Sequence, residues 1–267
     1  MTRETSIKDE SGTNRIQIKD RGDRLVIEID RELFTAYYYR DVPRPYLYPV
    51  IGPSGDPVIR HWPMKKGKHE EHDHLHHRSL WFTHGEVNGE DFWSEGKTAA
   101  KIVHRNFETI NSGNEQANIV ANNDWVGFEG NVVCTETRTV SFLEQSDSRC
   151  IDFDITIHAS HGPVTFGDTK EGSMAIRLAP TMRLKGKVGQ GHIVNSEGVR
   201  DEQTWGKRSA WCDYYGPVND QMVGVAIFDH PNNPRHPTWW HVRDYDLFAA
   251  NPFGVHDFEK KPAARAT

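Results

Sequence analysis

Residues 131–159 read NVVCTETRTVSFLEQSDSRCIDFDITIHA, and they decide the class of fold. In the second half Ile151, Phe153, Ile155 and Ile157 alternate with Asp152, Asp154, Thr156 and His158, the period of two that gives a strand one apolar and one polar face. The first half alternates as well, with Val133, Thr135, Thr137 and Thr139 on one side and Cys134, Glu136, Arg138 and Val140 on the other. A polar EQSDSR joins the two runs, a turn of the right length for a hairpin.

Further strands are predicted over 24–30, 33–40, 173–180 and 222–230, and SLWFTHG at 79–85 and WWHVRDY at 239–245 also read as strands. No long segment keeps the i, i+3, i+4, i+7 apolar spacing of a helix, and 22 glycines and 14 prolines interrupt the chain often. The expectation is an all-β chain with little helix, folded as one large antiparallel β-sandwich. Residues 1–20 read as a flexible N-terminal segment, 21–258 as a single sandwich domain and 259–267 as a frayed tail.

With a formal charge of −6 and basic residues scattered among acids, the sequence has no basic stripe for nucleic acid. The polar N-terminus has no apolar signal core, and the longest apolar run, MVGVAIF at 222–228, is far short of the roughly 20 residues of a membrane span. A cytoplasmic protein without nucleic-acid or membrane partners is expected. Cys134, Cys150 and Cys212 form no CxxC pair and read as small core residues.

Six of the fifteen histidines fall within residues 69–84. If HDHLH is extended, His72, His74 and His76 share a face, a geometry suited to a divalent metal, with His74 and His76 the leading ligands. The Glu that follows an HxH pair in cupin-type sites is absent, since positions 79–81 are Ser, Leu and Trp. His69 and His72, in the polar run KKGKHEEHD, read as solvated. A third reading places acid/base or ligand-binding chemistry in LHHRSLWFTHGEVNGEDFW, where polar and large apolar residues interleave at a loop–strand junction.

Residues 228–254 form a second concentration, with three histidines, two arginines, two adjacent tryptophans and four prolines. Prolines make DHPNNPRHP an irregular but rigid loop. As a strand, WWHVRDY puts Trp239, His241, Arg243 and Tyr245 on one face, and indole beside imidazole and guanidinium suits a sugar ring and its hydroxyls. P-loop, GxGxxG, GxSxG, HExxH and EF-hand patterns are all missing, which removes the commonest nucleotide, hydrolase, zincin and calcium readings.

RPYLYPVIGPSGDP, HHRSLWFTHGEVNGEDFW, GDTKEGSMAIRLAP and GVAIFDHPNNPRHPTWWHVRDYDLFAANPFG together resemble the bacterial PmoA family, a domain family of unknown function, over roughly residues 20–258. The resemblance implies a galactose mutarotase-like supersandwich with a sugar-handling site on a large sheet. It also implies a final strand pair after NPFGVHDFEKKP that this sequence lacks, through truncation or loss.

The resulting expectation is a sugar-active enzyme of carbohydrate catabolism, of epimerase or keto-glycoside lyase or hydrolase type, acting on a small sugar or glycoside. His76 or His77 would pair with His241 in proton transfer, with Glu171 as a further base. Arg78, Trp81, Asn88, Trp93, Arg177, Asp213, Asp229, His230, Trp240, Arg243 and Asn251 are the substrate-binding candidates. Two alternatives stay open: a noncatalytic carbohydrate-binding protein stacking sugars on Trp93, Trp239 and Trp240, and a metal-dependent lyase or oxygenase built on the histidine cluster.

Overall fold

The computed structural model describes residues 14–145 and 147–262. It is an antiparallel all-β sandwich of three sheets. The largest has eight strands. In spatial order they are β1 (Ile16–Asp20), β2 (Arg24–Ile29), β3 (Glu32–Tyr38), β4 (Tyr46–Val50), β5 (Leu80–His84), β10 (Gly172–Arg177), β15 (Leu247–Asn251) and β14 (Trp239–Val242). A four-stranded meander holds β6 (Lys101–Asn111), β7 (Gln116–Val126), β8 (Val132–Gln145) and β9 (Ser148–His158). A three-stranded sheet holds β11 (His192–Asn195), β12 (Trp211–Val218) and β13 (Gln221–Phe228). Among the described residues helix is confined to α1 (Val255–Glu259) and two single 3₁₀ turns, and none is long and apolar enough to cross a membrane.

The hairpin expected at 131–159 is β8–β9, paired from Thr135↔His158 to Gln145↔Ser148. Its inward face carries Cys134, Glu136, Arg138, Val140 and Phe142, all buried, and two of these five are charged. Their charges offset one another: Glu136 pairs with Arg138 at 2.6 Å and accepts hydrogen bonds from Asn123 and the Trp125 indole. Cys134 and Cys212 are buried as expected, but Cys150 is exposed, because its position in β9 puts it on the face of Asp152 and Asp154.

The large sheet packs on the other two through one face. Leu25, Ile27, Leu47, Ile176, Trp240 and Phe248 meet Ile119, Val140 and Phe142 of the meander and Ile193, Cys212 and Tyr214 of the small sheet in one core. The opposite face carries a separate cluster of Tyr46, Trp81, Ala175, Leu247 and Ala249, covered by Trp93 from the loop after β5. Register explains this cover. Tyr38, Tyr46, Trp81, Ala175, Ala249 and His241 are successive cross-strand partners over six strands, so three aromatics and an imidazole flank two alanines. The small pair leaves the room that the Trp93 indole occupies.

Two expected boundaries change. Residues 16–20, expected within a flexible lead-in, are β1, in full register with β2; Glu259, expected in the frayed tail, ends α1 and accepts from the Trp239 indole, while residues 1–13 and 263–267 are outside the described residues. WWHVRDY is strand only to Val242. Arg243 to Asp246 form the turn into β15, closed by the Arg243 amide donating to the Leu247 carbonyl at 2.7 Å.

Candidate functional site

Sequence places the histidine-rich segment between β4 and β5, and buried arginines fix its path. Arg60, fully buried, donates to the carbonyls of Glu71, Asp73 and His74 and pairs with the Asp73 carboxylate at 2.5 Å. Glu70 accepts from the amides of His61, Trp62 and Gly67, and the Trp62 indole donates to the Asp73 carbonyl. Arg44, also buried, donates to the carbonyls of His76, Trp93 and Ser94, which ties this loop to the one after β5. The segment has no strand character, yet its backbone is anchored at Glu71, Asp73, His74 and His76.

This path overturns the extended HDHLH. His74 has a left-handed φ of 41°, and the His77 amide closes a turn onto the His74 carbonyl at 3.0 Å. The three-histidine face therefore does not form. His72 leaves to stack on Trp62 at 4.2 Å, while His74 stacks flat on His77 at 4.7 Å and 9°. His69 and His72 are exposed, as expected. Among the described residues no group of three or more His, Cys, Asp or Glu is placed to hold a metal ion.

The hydrogen bonds assign proton positions to two imidazoles. Arginine only donates, so Arg177, 2.6 Å from His77 Nδ1, makes that nitrogen an acceptor and leaves the ring proton on Nε2. Burial, then the Arg177 charge, drive the His77 pKa far below its ordinary value, so the ring is neutral. His74 is set the opposite way. Its Nδ1 lies 2.6 Å from Asp73 Oδ2, so Nδ1–H donates to the carboxylate and, in the neutral ring, Nε2 is the acceptor. Burial works against the Asp73 charge, but the Arg60 hydrogen bond and the Arg177 charge hold its pKa below the ordinary carboxylate value. Behind the pair, Asp246 accepts from both Arg177 and Arg183, all three buried.

A cleft of about 210 Å³ opens among His74, His76, His77, Trp93, Ser94, Glu171, Tyr245 and Leu247. Burial, then the nearby Arg44 charge, push the His76 imidazole down to about 4, so it is neutral at pH 7. Glu171 stands at the entry to β10 with Oε1 2.7 Å from Lys170 Nζ. Its backbone passes so close to Gly85 that a Cβ there would lie 2.9 Å from the Glu171 Cβ and carbonyl oxygen. Tyr245, in the β14–β15 turn, lies parallel to His74 at 5.9 Å with the Arg177 guanidinium 4.9 Å from its ring centre.

Of the residues expected to form the site, His74, His76, His77, Trp93 and Glu171 line this cleft together. Trp81 lies beneath, stacked on His77 at 5.3 Å, and Arg177 orients His77 from within the protein. His241 is not among the lining residues: it is 2% exposed, donates through Nδ1 to the Lys170 carbonyl at 2.8 Å, and burial lowers it to about 4. Asn251 is also buried, holding the Thr169 carbonyl, so both support the Glu171 loop from behind. Arg78 is committed to a two-pronged pair with Glu95 at 2.7 Å.

Other candidates lie elsewhere. Trp240 belongs to the main core with its indole bonded to the Ser209 carbonyl, and the Trp239 indole donates to Glu259, so neither is a stacking platform. Asp229 accepts from His236, Asn233 and the Thr238 amide, organising the proline-rich loop, with His230 exposed beside it. Asp213 sits on β12 in the small sheet, and Asn88 holds Pro163 and Thr165 at a turn. Arg243 rests against the rings of Trp205 and Tyr245. The sequence reading missed Asp73, Arg60 and Arg44. Asp73 carried a local signal in its place beside His74, but the arginines act across the fold and carried none.

A family model matches residues 24–266. The chain belongs to DUF6807, a family of unknown function. No curated protein and no solved structure matches this DUF6807 chain.

Proposed function

We propose that the cleft binds a sugar and moves a proton to and from it. The observation that supports this reading is the pair of oppositely set, stacked imidazoles: His74, oriented by Asp73, offers a bare Nε2 as base, and His77, locked by Arg177, carries a proton on Nε2 as hydrogen-bond donor. Tyr245 supplies a ring surface for sugar CH groups, beside the buried Trp93, and Glu171 and His76 supply polar groups in the same cleft. The resemblance to the PmoA family, with its implied mutarotase-like fold and sugar site, favours a sugar over other polar ligands.

His74 Nε2 takes a proton from a sugar hydroxyl, or from a carbon beside a sugar carbonyl. The oxyanion that results accepts a hydrogen bond from the Nε2–H of His77 in the same cleft, which lowers its energy. Returning the proton to the ring oxygen or to the other face gives epimerisation; loss of a neighbouring substituent gives elimination. This assignment moves the base from His241 to His74.

The test is proton NMR of free and keto-hexoses and their glycosides with wild-type protein and His74→Ala. The reading predicts enzyme-dependent anomer exchange or elimination that falls by about 10² to 10⁴ in the variant. Sugar binding without any turnover would instead make this a carbohydrate-binding protein, and equal turnover in both proteins would remove His74 as base.

A further inference from the structure

A second cleft, of about 440 Å³, lies beside the first and is lined by Gly85, Glu86, Gly89, Glu90, Asp91, Trp93, Ser94, Thr169 and Glu171. Trp93, Ser94 and Glu171 line both. The two spaces are thus lobes about a common wall, and the residues of that wall come from the loops that the buried Arg44 and the Gly85–Glu171 approach hold in place. We infer that the second lobe is a subsite for another sugar unit, so that the substrate is a neutral glycoside or disaccharide whose linkage lies at Trp93 and Glu171. This deepens the sugar reading above and rests on it.

The chemistry of the lobe narrows the occupant. Its side-chain groups are four carboxylates, two hydroxyls and one indole, and no lysine, arginine or histidine lines it. Carboxylates accept hydrogen bonds, and sugar hydroxyls are donors available on every face of a ring. Asp91 already holds the amides of Trp93 and Ser94, which fixes the shared wall. Trp93 is 3% exposed, and its indole N–H has no hydrogen-bond partner, which leaves a donor in the wall common to both lobes. The first lobe, at about half the volume of the second, holds the histidines; the larger, acidic lobe takes the unit that is not chemically altered. A carboxylate on that unit would meet like charge and be rejected.

Gly89 offers a clean probe. It lines only the second lobe, its φ of 82° suits asparagine among side-chain residues, and a Cβ there meets nothing within 4 Å, so Gly89→Asn narrows the lobe without disturbing the first. Titration calorimetry would compare hexoses and pentoses with their neutral α- and β-linked disaccharides, and with disaccharides ending in a uronic acid. The inference predicts a neutral disaccharide binding at least about tenfold more tightly than its monosaccharide, a gain lost in Gly89→Asn while the monosaccharide affinity holds. It predicts weaker binding of the uronate. Equal affinity for mono- and disaccharide, or a Gly89→Asn variant that weakens both alike, would overturn the subsite and leave the sugar reading standing. A wild-type protein that binds no sugar in the panel would overturn both.

Discussion

At the scale of the residue, the chemistry of the cleft depends on which nitrogen of each imidazole carries the proton. Asp73 does this for His74 and Arg177 for His77, so their variants have distinct outcomes. Asp73→Asn keeps the shape but lets the amide present its NH₂ to His74, reversing the ring's preference; turnover should fall by about tenfold or more, and turnover equal to wild type would show that Asp73 does not orient the base. Gly85→Ala acts through Glu171, since the added methyl meets the Glu171 Cβ and carbonyl at 2.9 Å. Enzyme activity should fall while the circular dichroism spectrum stays that of wild type; unchanged activity would show that the position of Glu171 is unimportant. The sequence named four of the polar residues of this cleft, because histidines and a loop glutamate stand out in composition. It assigned His74 to a metal because an extended HDHLH was assumed, and the turn that removes that face depends on Arg60, outside any local pattern.

At the scale of the element, strands were legible and the loops between them were not. β2, β3, β5, β8, β9 and β13 lie within two residues of where they were predicted, and β10 ends three residues early, since period two reports the two faces of a sheet directly. WWHVRDY failed at its end, because alternation cannot reveal that Arg243 to Asp246 turn back to form β15. That turn matters to the site: it positions Tyr245 over His74 and Asp246 between two arginines. The alanines at 175 and 249 carry the other load-sharing feature, the space for Trp93. Ala249→Leu should cost about 1–3 kcal/mol by overpacking, seen as a lower urea midpoint, and should abolish any change in tryptophan fluorescence on sugar binding. A variant as stable and as responsive as wild type would place Trp93 elsewhere.

At the scale of the whole molecule, one consequence of burying so many histidines is sensitivity to acid. His84, which bonds the Gly167 carbonyl, and His241 are both buried and lowered to about 4, first by burial, and His76 follows the same pattern in the cleft. A group whose folded pKa lies below its unfolded value binds protons preferentially when unfolded, so stability is complete above about 6.5 and is lost as pH falls towards 4. His84 and His241 each contribute on the order of 3 kcal/mol to this loss. Denaturant melts should therefore weaken steeply between pH 6.5 and 4, and His84→Gln should flatten that slope; a slope unaffected by the substitution would assign the acid sensitivity to other groups. The class of fold was readable from the hairpin at 131–159, yet the division into three sheets was not, because pairing of β5 with β10 and of β10 with β15 joins distant parts of the chain.

His74 and His77 face one cleft with opposite proton placement. Nitrogen-15 NMR of histidine-labelled protein measures this directly. The account predicts His74 with its proton on Nδ1 and His77 neutral with its proton on Nε2 down to pH 5, and a shift of the His74 Nε2 resonance when sugar is added. A His77 that titrates near 6.5, or a His74 whose proton sits on Nε2, would contradict it.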